Sequence, residues 1–149
     1  MLFRSVAAAM EAVTLGVPGI GISFTGNHPE TMSTYRDLLI QLVRRITSVR
    51  AFPEQTLLNI NLPRVPASEV RGFQVTKLGS RFFSESLTRM KDPWGREIYW
   101  IGGGTITWTG GENSDHLGVA EGYISITPLH MDLTNYSLLE TVRGWSLEG

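Results

Sequence analysis

The sequence contains no cysteine, which excludes a disulfide framework, a thiolate metal site and a Cys nucleophile. Net charge is nearly absent as well, at a formal −1, so no strong field draws the chain toward nucleic acid or anionic lipid, and neither is expected as a partner. No apolar run approaches the roughly 20 residues that a membrane span needs. The opening Met1-Leu2-Phe3-Arg4-Ser5 lacks the charged and apolar zones of a secretory signal. Familiar catalytic motifs are missing too: Gly-x-Ser-x-Gly and His-Glu-x-x-His do not occur. Gly102-Gly103-Gly104 has no Gly-Lys-Ser/Thr after it and is no phosphate loop. What remains is 149 residues with 42% apolar and 18% charged side chains, enough for one soluble domain with a core. A cytoplasmic enzyme or subunit fits.

The stretch FRSVAAAMEAVTLGVPGIGIS, residues 3–23, reads as a helix running into a strand. Ser5 is the expected N-cap, the alanines favour helix, and Gly16 with Pro18 ends it. The helix is apolar on nearly every side and predicts cover on nearly every side. Glycines in GIGISF predict close approach of another backbone. Pro29 and Glu30 suit a helix start. From there Met32, Tyr35, Leu38, Leu39, Leu42, Val43, Ile46 and Val49 recur at helical spacing, which predicts one long amphipathic helix. TLLNINLP predicts a strand stopped by Pro63, with Leu58, Ile60 and Leu62 on one face and Leu57, Asn59 and Asn61 on the other. Strand, helix, strand in this order predicts a right-handed crossover between parallel strands. Phe73–Leu78 reads as a further strand. Arg96–Ile101 and Thr105–Thr109, separated by the three glycines, read as a hairpin carrying Tyr99, Trp100 and Trp108. Tyr123–Leu129 is expected to be a strand, and Thr134 to cap a last helix reaching about Trp145.

Candidate chemistry is sparse. Asp115-His116 is an adjacent acid and imidazole, but neighbours on one strand rarely reach the same ion, and a polar loop pair is the plainer reading. His130 and Asp132 share a face if extended, yet Asp132 is expected to organise the turn before the last helix. His28 is a loop or cap residue. Asn59 and Asn61 could bind a ligand, although bonding to neighbouring backbone is the commoner use of such side chains. No catalytic residue and no metal ligand can be named from these residues alone.

Several segments together resemble one family. VAAAMEAVTLGVPGIGIS, LLNINLP, VTKLGSR, DPWGREIYWIGG, SDHLGVAEGYISITPLHMDLT and VRGW are similar, in order and spacing, to the C-terminal half of SurE, the survival-protein phosphatases. The resemblance implies an α/β fold: the C-terminal part of a Rossmann-like, three-layer α/β/α arrangement with a long protruding β-hairpin. It implies a body over residues 1–78 and 112–149, an arm at about 91–111, and N-terminal strands that lie outside this sequence. It also implies 5′/3′-nucleotidase activity on nucleoside monophosphates with Mg²⁺ or Mn²⁺, and a homodimer or homotetramer. In the family an Asp-Asp pair, a Ser and an Asn from an earlier half hold the metal, so none of this chain's residues is expected to ligate it. Tyr-Ser-Gly-Thr usually precedes the first helix. Here Leu2-Phe3-Arg4-Ser5 stand in its place, which leaves Ser5 as the one candidate for touching phosphate. The expectation is a portion of a nucleotidase that is inactive alone. The alternatives are a non-catalytic oligomerisation or binding module, and a truncated gene product.

Overall fold

The computed structural model of the chain describes residues 2–48, 53–83, 87–101 and 106–145. In chain order its elements are α1 (Leu2–Thr14), β1 (Gly19–Phe24), α2 (Pro29–Ser33), α3 (Arg36–Thr47) and β2 (Thr56–Leu62). These are followed by β3 (Phe73–Val75), β4 (Ser80–Phe83), β5 (Leu87–Lys91), β6 (Glu97–Ile101), β7 (Ile106–Thr109), α4 (Asp115–Ala120), β8 (Ile124–His130) and α5 (Leu139–Arg143). The body is a four-stranded sheet in the order β1-β2-β8-β3. β1 runs parallel to β2, as the crossover predicts, and β8 is antiparallel to β2 but parallel to β3. The sheet is therefore mixed.

The alternation in TLLNINL sorts the two faces of the sheet. Ile60 and Leu62 of β2 and Ile124 of β8 are buried against Leu42 of α3 and against Tyr35, with Ile20, Ile22, Phe24 and Leu58 packed around them. The opposite face receives α1 and α4. A β-carbon added at Gly19 would lie 2.2 Å from the Ala9 carbonyl oxygen, and one at Gly21 would lie 3.1 Å from that of Ser5. The two glycines thus let α1 lie directly on β1. Helices on both faces of a sheet give the three layers expected.

Five expectations need correction. Helix α1 begins at Leu2, so Ser5 sits inside it rather than at its cap; Leu and Arg are good helix formers and nothing in Leu2–Arg4 breaks the helix. Cover of α1 is one-sided among the described residues: Ala9 is buried, whereas Ala7, Ala8 and Leu15 are exposed.

The predicted long helix is two helices. Ser33 and Thr34 turn their hydroxyls back onto the carbonyls of Glu30 and Thr31 at 2.6 and 2.7 Å, an arrangement that competes with the helical ladder. Thr34 also accepts the Ala67 N–H at 2.9 Å. The fully buried Tyr35 sends its hydroxyl to the Val65 carbonyl at 2.7 Å, with the Pro63 carbonyl at 3.2 Å. Burial raises the pKa of this phenol.

The hairpin is paired differently from the sequence reading. β6 pairs with β5 and β7 with β4, both antiparallel. The reversal is Asp92–Arg96, where Asp92 Oδ1 accepts the N–H groups of Trp94 and Arg96 at 2.9 Å each and Gly95 takes φ +81. An Asp-Pro-x-Gly turn with a left-handed glycine is the stronger reversal signal. The Gly102–Gly104 loop falls outside the described residues. Three residues, 84–86, separate the two ladders on one side and four, 102–105, on the other.

Finally, Thr134 does not cap the last helix. Its N–H is taken by Asp132 Oδ1 at 2.9 Å, and α5 starts only at Leu139 after a single 3-10 turn.

Candidate functional site

In open α/β sheets ligands collect where parallel strands end at their carboxyl side. That end of β1 and β2 opens into a cavity of about 540 Å³. Its walls come from four separate stretches: Thr25 after β1, residues 61–65 at the end of β2, Trp108 of β7, and α4 with its flanks.

Each stretch is held by identifiable bonds. The Thr25 hydroxyl donates to the Leu62 carbonyl at 2.8 Å, and Arg64 Nε to the Thr25 carbonyl at 3.1 Å. Tyr35, through the Val65 carbonyl, fixes the 63–65 segment from below. On the far wall the buried Asp115 presents Oδ1 to the N–H of Gly79 and that of His116, at 2.9 Å each. A carboxylate accepting two N–H groups is a strong tie, and this one joins the root of β4 to the start of α4. The His116 ring stacks on Trp108 with centroids 4.8 Å apart and planes inclined by 10°. Ser114 Oγ lies 3.0 Å from His116 Nδ1.

Beneath the cavity the sheet is polar. Register places Ser23 beside Asn61 and Gly21 beside Asn59, with Ser125 and Thr127 across from them on β8. Asn61 Nδ2 reaches Ser125 Oγ at 3.3 Å. Asn61 Oδ1, both polar atoms of the Asn59 amide and Ser23 Oγ are buried with no hydrogen-bond partner among the described residues. The expectation that these asparagines bond to neighbouring backbone is therefore wrong: their strand neighbours already exchange ladder bonds, and the one bond formed is to a side chain. Each unpaired buried group costs about 1–3 kcal/mol, a cost that natural proteins retain mostly where a site needs it.

The other candidates lie apart from this centre. His28 Nδ1 sits 3.0 Å from Glu30 Oε1 at the exposed start of α2. Asp132 does organise a turn, bonding to Thr134 and Tyr136. Hydrogen bonds from Thr134 and then Tyr136 lower its pKa to about 2. His130 Nδ1 accepts the Asp132 N–H at 3.1 Å. Ser5 is half-buried in α1 and is not among the residues lining the cavity. Among the described residues no three His, Asp or Glu side chains converge as a cation requires, and Asp115 already commits an oxygen to two N–H groups. The residues present do not fit a divalent-metal site. No described helix is long and apolar enough to cross a membrane.

The family model described as "Survival protein SurE" matches residues 4–85, more than half the chain. The chain belongs to the SurE family. It is 50% identical over 144 residues to the 5′-nucleotidase SurE of Gemmatimonas aurantiaca, covering 95% of this chain and 57% of that protein. Identity to the 5′-nucleotidase SurE of Legionella pneumophila strain Paris is 43% over 136 residues, covering 91% and 54%. The crystal structure of the SurE protein from Aquifex aeolicus superposes with a TM-score of 0.78 at 31% identity, covering 95% of this chain and 57% of that one. The chain thus spans about half the length of the curated SurE relatives it matches. Residues that sequence reasoning missed, Thr25, Val65 and Trp108, carry no local motif. Their signal is positional: Thr25 and Val65 follow strand ends, and Trp108 is the last residue but one of β7.

Proposed function

We propose that this chain forms part of a divalent-metal-dependent 5′/3′-nucleotidase, a phosphomonoesterase acting on nucleoside monophosphates, and that the 149 residues by themselves do not turn substrate over. The carrying observation is the cavity at the carboxyl ends of β1 and β2, floored by Asn61 with an unpaired oxygen, in a chain 50% identical to a protein named 5′-nucleotidase. A phosphate ester needs a cation to neutralise its oxygens and activate water. Oxygen-rich carboxylate ligands suit Mg²⁺ or Mn²⁺. The described residues offer no such cage, and this supports the inactivity of the chain alone. α1 is antiparallel to β1, since Ser5 lies over Gly21 and Ala9 over Gly19. Its positive end therefore faces the side of the sheet where the cavity opens, and Ser5 remains the candidate for contact with phosphate.

Phosphate release from adenosine monophosphate, with Mg²⁺ or Mn²⁺ supplied, tests the inactivity of the chain alone. No turnover by the 149-residue chain is expected. Metal-dependent release at enzyme-like rates would overturn the inactivity.

A second reading, a self-association module, is favoured by the arm. On β5, β6 and the turn between them, Leu87, Met90, Trp94, Ile98, Tyr99 and Trp100 are all exposed. A homodimer or homotetramer using this surface is expected to lose mass in light scattering when residues 87–101 are replaced by a short turn. An unchanged mass rejects the arm as the contact.

A further inference from the structure

We propose that the cavity between β2, β7 and α4 is a nucleobase subsite, in which a planar heterocycle lies against the Trp108–His116 pair with its polar edge toward Asn61. This rests on the nucleotide reading above and names which part of the substrate the cavity takes.

Three observations carry the inference. The first is the aromatic wall. Trp108 and His116 are stacked with nearly parallel planes, 10° between them and 4.8 Å between centroids, so a base extends this stack by lying on its outer face. The imidazole is fixed by the buried Ser114, whose Oγ lies 3.0 Å from Nδ1. A stacking surface held in place before binding loses little freedom on binding. The second is the remaining lining. Pro63, Val65 and Val119 are apolar, as ligand cavities of a few hundred Å³ usually are. The third is the floor: Asn61 is 3% exposed, its Nδ2 is committed to Ser125, and its Oδ1 accepts no hydrogen bond from the described residues.

Every nucleobase has a π face that stacks on aromatic rings and at least one N–H on its edge that a lone acceptor can receive. A sugar phosphate has hydroxyls to offer such an acceptor but no π face. A phosphate-binding wall would instead show converging cations and free N–H donors. Here Arg64 is the single Lys or Arg among the described lining residues, and its Nε is tied to the Thr25 carbonyl, so cations do not converge. The cavity therefore matches the base rather than the phosphate.

The test titrates adenosine and guanosine, which carry no phosphate and need no metal, into the 149-residue chain. Tryptophan emission and the His116 ring resonances are followed, and ribose 5-phosphate serves as the comparison. Saturable quenching and a shifted His116 ring are expected from the nucleosides. Trp108→Leu should weaken binding about tenfold or more, in line with what one lost stacking partner costs. Its fold is checked by circular dichroism, and Val119→Trp, which fills the cavity from α4, gives the same loss independently. Absence of nucleoside binding would overturn the proposal. So would nucleoside binding unchanged in both variants, or His116 shifts as large with ribose 5-phosphate as with adenosine. Nucleoside binding to which a 5′-phosphate adds no affinity would uphold this subsite and count against the nucleotidase reading. Equal affinity for adenosine monophosphate and ribose 5-phosphate would do the reverse.

Discussion

The body sheet and the arm are both β-structure, yet they are stabilised in opposite ways. Along β2, residues 59–62 are all buried, and every strand neighbour is matched on both sides by β1 and β8. Along β5 and β6, residues 87–91 and 97–100 are all exposed, and each strand has a single partner. An isolated two-stranded ribbon is marginal in water. The arm's tip therefore relies on its Asp92–Arg96 turn, where Arg96 Nε also reaches Asp92 Oδ2 at 2.7 Å, and on the cross-strand pair of Arg89 with Glu97. Burial specifies the body, and turn chemistry specifies the arm.

The sharpest way to break this contrast is to truncate one side chain in each region. Ile60→Ala, in the centre of the core, is expected to cost about 2–5 kcal/mol. Trp100→Ala, more than half exposed, should stay within about 0.5 kcal/mol in the monomer. Urea midpoints at unchanged m-values check both, and comparable losses would dissolve the distinction.

Smaller in effect is the removal of the tie between the regions. Asp115→Ala leaves the Gly79 N–H without its acceptor, at about 1–3 kcal/mol. It should speed amide exchange at Gly79 and change Trp108 emission while leaving the Asp92–Arg96 turn unaffected. Exchange that stays slow at Gly79 would show that the arm's root is held by something else.

The smallest effect concerns the segment after β8. The Asp132 carboxyl titrates at about 2 in the folded chain because Thr134 and Tyr136 donate to it, below the ordinary value near 3.9. A depressed carboxyl stabilises the folded form above its unfolded pKa, and that contribution fades as pH falls through the folded value. Local order around Tyr136 should therefore persist above about pH 4 and be lost between about pH 4 and 2. It can be followed by the Tyr136 ring resonances. Asp132→Asn should remove the pH dependence.

Much of the body was legible in the sequence because its signals are local. Alternation in Leu57–Leu62 and the stop at Pro63 gave β2 and its two faces. The glycines of β1 forecast the close approach of another backbone, which in the structure is that of α1. The break between α2 and α3 was hidden because it depends on hydroxyls of Ser33 and Thr34 and on carbonyls from residues 63–65, which are remote in sequence. The arm was mispaired because Gly102–Gly104 drew more weight than Asp92-Pro93-Trp94-Gly95, although only the latter supplies both an Asx acceptor and a left-handed glycine. The cavity was invisible to a linear reading, since Thr25, Asn61, Trp108 and His116 meet only through the fold.

One geometric fact extends beyond the cavity's contents. Trp108 belongs to β7, a strand of the arm, while His116 opposite it belongs to α4 of the body. The cleft is therefore bounded on one flank by a strand paired with β4 and on the other by α4. Displacing the β4–β7 ladder would therefore carry one wall of the cleft with it.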